Sequence, residues 1–257
     1  MQRTAASARA MGLVLGGFLG LLGGCGSTGP GERVALSVAS QSPTTTVGND
    51  VLVITRAELI LRELELEGNE GECRDGSPVP GAGLRLSGPG RSNHEDDEND
   101  DHECGEFEAG PFRLTIPLNS VELVVAVDVP AGTYHEVEFE IHKVSGSNAA
   151  FAAANPDMVG KSIRVEGTFN GQPFVFESDL EVEQELDLVP PLVVTGTSST
   201  GLTIRVDLGT WFRTAGGGLI SPATANAGGP NRDLVRQNIR NSFRVFEDRD
   251  RDGREDD

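Results

Sequence analysis

His135-Glu136-Val137-Glu138-Phe139-Glu140-Ile141-His142 alternates apolar and polar residues without a break. Val137, Phe139 and Ile141 share one face, and Glu136, Glu138, Glu140 and His142 share the other. Successive side chains of an extended chain point to opposite faces, so this period predicts a half-buried antiparallel strand. The same period recurs. Leu202, Ile204, Val206 and Leu208 alternate with Thr203, Arg205 and Asp207. Ile163, Val165 and Phe169 do so with Gly167 as an interruption. Asn170-Gly171 then precedes Phe174-Val175-Phe176, a hairpin signal, because Asn and Gly accept the positive φ of a tight turn.

Residues 33–40, 112–118, 121–128 and 180–188 are further strand candidates. The stretch from Arg56 to Glu67 fits two patterns. Ala57, Ile60, Leu61 and Leu64 make a helical stripe, whereas Leu64 and Leu66 alternate with Glu63, Glu65 and Glu67. The β-rich Val51-Leu52-Val53-Ile54 ahead of it favours one long strand. A helix is predicted for Arg232 to Glu247, with Val235, Ile239, Ser242, Phe243 and Phe246 on one stripe and Asn231 as its cap. Some eight to ten short strands with few helices predict a mainly β protein, an antiparallel β-sandwich with one C-terminal helix.

The N-terminus reads as an address. Arg3 and Arg9 precede an uncharged run from Met11 to Gly24, 14 residues long. A stable membrane span needs about 20. Positive charge, a short apolar core and small residues before a cut are the secretory pattern. Leu22-Gly23-Gly24-Cys25 resembles the lipobox of bacterial lipoprotein precursors. That resemblance implies cleavage before Cys25, a diacylglycerol thioether on its sulfur and acylation of the new amino group. An ordinary cleaved signal with an incidental cysteine is the plainer alternative. Gly26 after the cysteine, by resemblance to envelope-sorting rules, favours an outer membrane where the host has one. The expected organisation is a signal peptide (1–24), a lipidated tether (25–32), a sandwich (33–212), a Gly/Ala-rich linker (213–230) and a helix with an acidic tail (231–257).

Charge and cysteine content narrow the function. Lys plus Arg total 21 against 40 Asp plus Glu, a formal charge of −19. A binder driven by phosphate neutralisation needs the opposite balance, so no nucleic-acid partner is expected. The one long apolar run excludes a multi-span helical membrane protein. Apart from Cys25, the cysteines are Cys73 and Cys104, and in an exported chain two cysteines most simply form one disulfide. It would clamp the base of a loop in which seven of the nine residues from Glu95 to Glu103 are acidic. A loop of about 30 residues makes that clamp worth roughly 3 kcal/mol in the chain-entropy model. A metal site on Cys73, Cys104, His94 and His102 is the competing reading, without close Cys-x-x-Cys spacing to support it.

Val129-Pro130-Ala131-Gly132-Thr133-Tyr134 running into an alternating strand resembles the prealbumin-like sandwiches of exported bacterial proteins. With the long early strand and the Ile204–Phe212 segment, the chain is similar to bacterial lipoproteins with an uncharacterised β-sandwich domain. The resemblance implies an anchored, non-enzymatic domain and carries no catalytic residues.

The C-terminal Asp248-Arg249-Asp250-Arg251-Asp252-Gly253 matches the first half of an EF-hand-type calcium loop. Acids at alternate positions wrap oxygens around one ion, and Gly permits the sharp turn. Asp256 is a further candidate ligand at the ninth position, directly or through water. Arg249, Arg251 and Arg254 oppose a cation, so the tail also reads as a solvated charge cluster. The preceding helix is expected to give the loop a rigid entry. Catalytic motifs are scarce. There is no Gly-x-Ser-x-Gly, Ser145-Gly146-Ser147 has no base beside it, and His135 and His142 fall on opposite strand faces. The expectation is a lipid-anchored envelope protein with a binding or structural role and an unidentified protein or polysaccharide partner. The rivals are a carbohydrate-binding module, poorly supplied with one Trp and one Tyr, and a hydrolase using paired carboxylates.

Overall fold

A computed structural model describes residues 32–68, 111–129, 132–195 and 200–256. Eleven strands make two sheets: β1 (Glu32–Gln41), β2 (Thr44–Val47), β3 (Asp50–Gly68), β4 (Phe112–Thr115), β5 (Val121–Val129), β6 (Gly132–Ile141), β7 (Ile163–Phe169), β8 (Gln172–Ser178), β9 (Val182–Val194), β10 (Thr200–Asp207) and β11 (Phe243–Glu247). The helices are α1 (Ala149–Ala154), α2 (Leu208–Trp211) and α3 (Arg232–Arg240), and only α3 exceeds six residues among the described residues. The protein is mainly β and built as a sandwich, as the alternating patterns predict.

The smaller sheet runs β11-β10-β1-β5, with β1 and β10 parallel and the other pairs antiparallel. The larger runs β8-β7-β3-β6-β9, with β2 and β4 also on β3. The Arg56–Glu67 ambiguity resolves as a strand, part of the 19-residue β3. Leu59 pairs with Ile163 of β7 and Leu114 of β4, and Leu61 with Ile141 of β6 and Phe112 of β4. β7 and β6 therefore take successive stretches of one edge of β3. Register shifts at Ile54/Arg56 and Arg62/Leu64, the second beside Glu63 at φ 53°, bend the strand. The shift at Arg62/Leu64 puts Leu61 and Leu64 in one core while Ile60 is buried in a second cluster with Val144 and Met158, so burial on both faces mimics a helical stripe.

The inner faces are the ones that the alternation assigned. Val137, Phe139 and Ile141 meet Leu202, Ile204 and Val206 in one core. Phe139 and Phe243 join the sheets edge to face at 5.4 Å, and Phe212 receives Phe174 and Phe176 in the same way. The Asn170-Gly171 hairpin forms with φ 51° and 76°, as its two residues permit. Gly167 is no interruption. A Cβ there would lie 2.0 Å from the Val53 carbonyl oxygen, so glycine lets β7 close on the bulge of β3.

Three expectations are corrected. The C-terminal helix stops at Arg240, and Phe243–Glu247 is strand β11 on β10. Phe243 and Phe246 are buried in this strand, and the strand completes hydrogen bonds with the edge of β10 that a helix would leave unmade. Asn231 is the N-cap residue of α3 but makes no side-chain capping hydrogen bond; its Nδ2 donates to Thr224 Oγ1 at 2.9 Å. The stretch 213–230 is packed rather than a loose linker. Ile220 and Ala225 enter the core, and Arg213 Nε donates to the Gly209 carbonyl oxygen at 2.9 Å.

Candidate functional site

The C-terminal turn sits on the outer face of the smaller sheet. β11 delivers Asp248, whose N–H donates to Gly201 O at 2.9 Å. A Cβ at Gly201 would come within 2.3 Å of Asp248 O, so glycine permits this close approach. Gly253 has φ 80°, and a Cβ there would meet Val121 Cγ2 at 2.8 Å, so both conformation and space require glycine. Asp248 is fully buried. Its Oδ2 accepts from Thr203 Oγ1 at 2.6 Å and Gly253 N at 3.0 Å, and its Oδ1 accepts from Asp252 N at 3.0 Å. Asp250 Oδ1 also accepts from Asp252 N, at 3.1 Å. One carboxylate oxygen from each of Asp248, Asp250 and Asp252 lies within 4.8 Å of the others.

The spacing thus brings the three alternating acids together. Asp256 lies apart from them, its Oδ2 accepting from Arg249 N at 2.7 Å, so it closes the turn. The entry to the turn is strand β11, not a helix. Arg249 Nε is turned back to Glu247 Oε1 at 2.7 Å, and Arg254 reaches Asp252 only at 3.7 Å. Ser37 stands in register beside Thr203, is buried, and its Oγ has no hydrogen-bond partner among the described residues. Cys25, Cys73 and Cys104, together with His94, His102 and the acidic run from Glu95 to Glu103, lie outside the described residues.

A second feature was only half legible. The row Glu136, Glu138, Glu140 reads as a solvated face in sequence, but all three are half-buried, and their neighbours are also acids. Glu138 lies opposite Glu65 of β3 and Glu185 of β9. Glu136 lies opposite Glu67 and Asp187, and Glu140 opposite Glu183. Hydrogen bonding to Glu183, then burial, then hydrogen bonding to Glu67 push the Glu138 carboxyl up to about 8. Burial first, then Glu67, Glu185 and Asp187, raise Glu136. The signal in the sequence is three alternating acidic runs. What it lacks is that their strands are neighbours.

Other groups are committed to structure. Glu58 on β3, fully buried, accepts from Arg113 Nε at 3.0 Å, from Arg113 Nη2 at 2.8 Å and from Arg56 Nη2 at 2.7 Å. Arg113 also holds Asp157 below its ordinary value through paired hydrogen bonds. An open depression of about 480 Å³ is lined by Arg164, Val175, Glu177 and Asn226. There Arg164 is tied to Glu166 and Glu177, and Asn226 to the backbone at Val175 and Glu177. Trp211 and Tyr134 are both buried, so neither offers a ring for stacking on a sugar. His135 and His142 are not brought together by the fold; His142 Nδ1 lies 3.1 Å from Glu140 Oε1. No protein-family model, no curated protein and no solved structure matches this chain.

Proposed function

We propose that this protein is a lipid-anchored bacterial envelope module, in an outer membrane where the host has one, whose β-sandwich binds or scaffolds and whose C-terminal turn holds Ca²⁺. The anchor rests on Leu22-Gly23-Gly24-Cys25 and the charged, apolar segment before it. Several acyl chains at one residue hold far more firmly than one, each buried CH₂ contributing about 0.8 kcal/mol. The calcium role rests on one observation, the convergence of Asp248, Asp250 and Asp252 around the buried Asp248. A hard divalent cation takes oxygen ligands, and carboxylates at alternate positions before a glycine supply them on one side. Asp248 has its two oxygens fixed by Thr203 and the turn's own N–H groups, so the first ligand is preorganised. With three carboxylates and three nearby arginines, affinity is expected on the order of 10⁻⁴ M or poorer.

A paired-carboxylate hydrolase is the second reading. One observation favours it: the carboxylate oxygens of Glu138, Glu65 and Glu67 lie within 4.8 Å of one another, and these surroundings push Glu138 up to about 8. That group lies on a sheet face, and substrate positioning needs a cleft. Two experiments test the main reading. Cys25→Ala should move the protein from the detergent to the aqueous phase of a Triton X-114 partition; persistence with detergent refutes the anchor. Calorimetric titration with Ca²⁺ should give heat for the wild type and none for Asp250→Asn/Asp252→Asn. Equal heats in both refute the turn as the site. The pair is chosen because Asp250 and Asp252 are exposed, so their replacement spares the core.

A further inference from the structure

Like charges directly opposite one another across a sheet repel, since their Cβ atoms stand about 4.5–5.5 Å apart. The outer face of β3, β6 and β9 nonetheless pairs acid with acid at five register positions: Glu65/Glu138, Glu67/Glu136, Glu138/Glu185, Glu136/Asp187 and Glu140/Glu183. Such a face needs cations or protons. The cations nearby serve its far end. Arg62 pairs with Glu140 and Glu63, His142 faces Glu140 and Glu181, and Lys143 pairs with Glu181 at 2.6 Å. No Lys, Arg or His among the described residues pairs with Glu136 or Glu138. Glu138 instead stands diagonal to Glu183 across the β6–β9 ladder, and one of its carboxylate oxygens lies within 4.8 Å of those of Glu65 and Glu67. Ionised carboxylates only accept, so a hydrogen bond between two carboxyl groups requires a proton on one of them.

We propose that Glu67, Glu138 and Glu183 form a proton-held clasp that fastens edge strand β9 to β6, and that loss of the shared proton frees the 182–187 stretch of β9. The topology confines the effect. β9 ends the larger sheet, so its outer edge has no neighbouring strand among the described residues. Its pairing with β6 is broken by a register shift between Tyr134 and Glu136, which separates 182–187 from 192–194. Every outward residue of the first stretch is acidic (Glu183, Glu185 and Asp187), while Gln184, Leu186 and Leu188 face inward. On β6 the flanking acids are Glu136 and Glu140, and on β3 they are Glu65 and Glu67. Deprotonation therefore adds a charge among Glu65, Glu67, Glu136, Glu183 and Glu185, with Arg62, already paired to Glu140, and His135, beside Glu136, the basic groups on the paired stretches of β3 and β6.

The direction with pH follows from the proton's affinity. In the unfolded chain Glu138 releases its proton near the ordinary 4.5, and in the fold it holds it up to about 8. The folded state binds more protons between those values. The clasp is therefore fully made below the lower one and is lost as pH rises through the upper one. This window differs from that of an ordinary surface carboxylate, which is ionised throughout it. The clasp is independent of the lipid anchor and of the calcium turn, and its test involves neither.

Amide hydrogen exchange on the full chain in detergent, corrected for intrinsic rates, reads the clasp directly. Between pH 6 and pH 9, protection at 182–187 should fall by up to about a hundredfold in the wild type, the change linkage gives for a proton held to about 8 in the fold and released near 4.5 once freed. Protection in β10 should stay level. Glu138→Gln keeps a donor, cannot ionise, and should abolish the pH response. The same response in the wild type and Glu138→Gln, or a loss shared equally by β10, overturns the proposal. A second measurement needs no variant: the Glu138 carboxyl ¹³C shift should titrate near 8, and a midpoint below about 6 overturns it as well.

Discussion

Replacing Arg113 by alanine should be among the most damaging single changes outside the apolar core. Glu58 is 1% exposed and has three donors, two of them from Arg113 at 3.0 and 2.8 Å. The third, Arg56 Nη2 at 2.7 Å, comes from a side chain that is 48% exposed and reaches only Oε1. Arg113→Ala would therefore leave Oε2 of a buried carboxylate without its partner. Removing one member of a buried ion pair costs about 3–5 kcal/mol, and the retained Arg56 contact places this case near the lower end, about 3 kcal/mol. The lost contact to Asp157, which is 47% exposed, adds little. For a domain of this size, about 2–4 °C per kcal/mol converts that cost to a fall in Tm of about 6–12 °C. Urea and thermal unfolding followed by circular dichroism would measure it. The double replacement Glu58→Met/Arg113→Met removes both charges and should recover most of the loss, because an apolar pair has no stranded carboxylate. A single-variant cost below about 1 kcal/mol, or a double variant no better than the single, would refute this account.

Two further outcomes are expected. Gly167→Ala should destabilise by more than about 3 kcal/mol in urea unfolding, because its Cβ would collide with the Val53 carbonyl oxygen and part β7 from β3; a change under 1 kcal/mol would mean that the bulge yields. Intact mass spectrometry of the purified exported protein should find Cys73 and Cys104 lighter by two hydrogens than after reduction, and free thiols in both would remove the disulfide.

The alternating strands were legible because burial of one face imposes a period of two on the residues themselves. His135–His142, Leu202–Leu208 and the Asn170-Gly171 hairpin appear where that period and turn chemistry place them. The end of α3 was not legible. Phe243 and Phe246 fit a helical stripe as well as a strand, and the open edge of β10 that decides between them lies some 40 residues away in sequence. For the same reason the sequence exposes the spacing of Asp248, Asp250 and Asp252 but not the burial of Asp248, which comes from Thr203 and Gly201 beneath it. Glu58 and Arg113 carry no local pattern at all. Their pairing is a consequence of β4 lying on β3, and no periodicity within either strand announces it.

The parallel pairing of β1 with β10 has a consequence for how the molecule comes to be made. β1 is the first described strand, yet it lies inside its sheet, between β5 and β10. A chain emerging from a ribosome offers β1 first and β10 near the end, so one edge of β1 stays bare for most of synthesis. Val34, Leu36 and Val38 would meanwhile present an apolar strip beside unpaired backbone groups, the arrangement that invites pairing with a neighbouring copy. Closure also brings together residues distant along the chain, which slows assembly. The sheet therefore closes on β1 only once Thr200–Asp207 is in place, and a chain shortened before β10 should be an aggregate-former rather than a smaller sandwich.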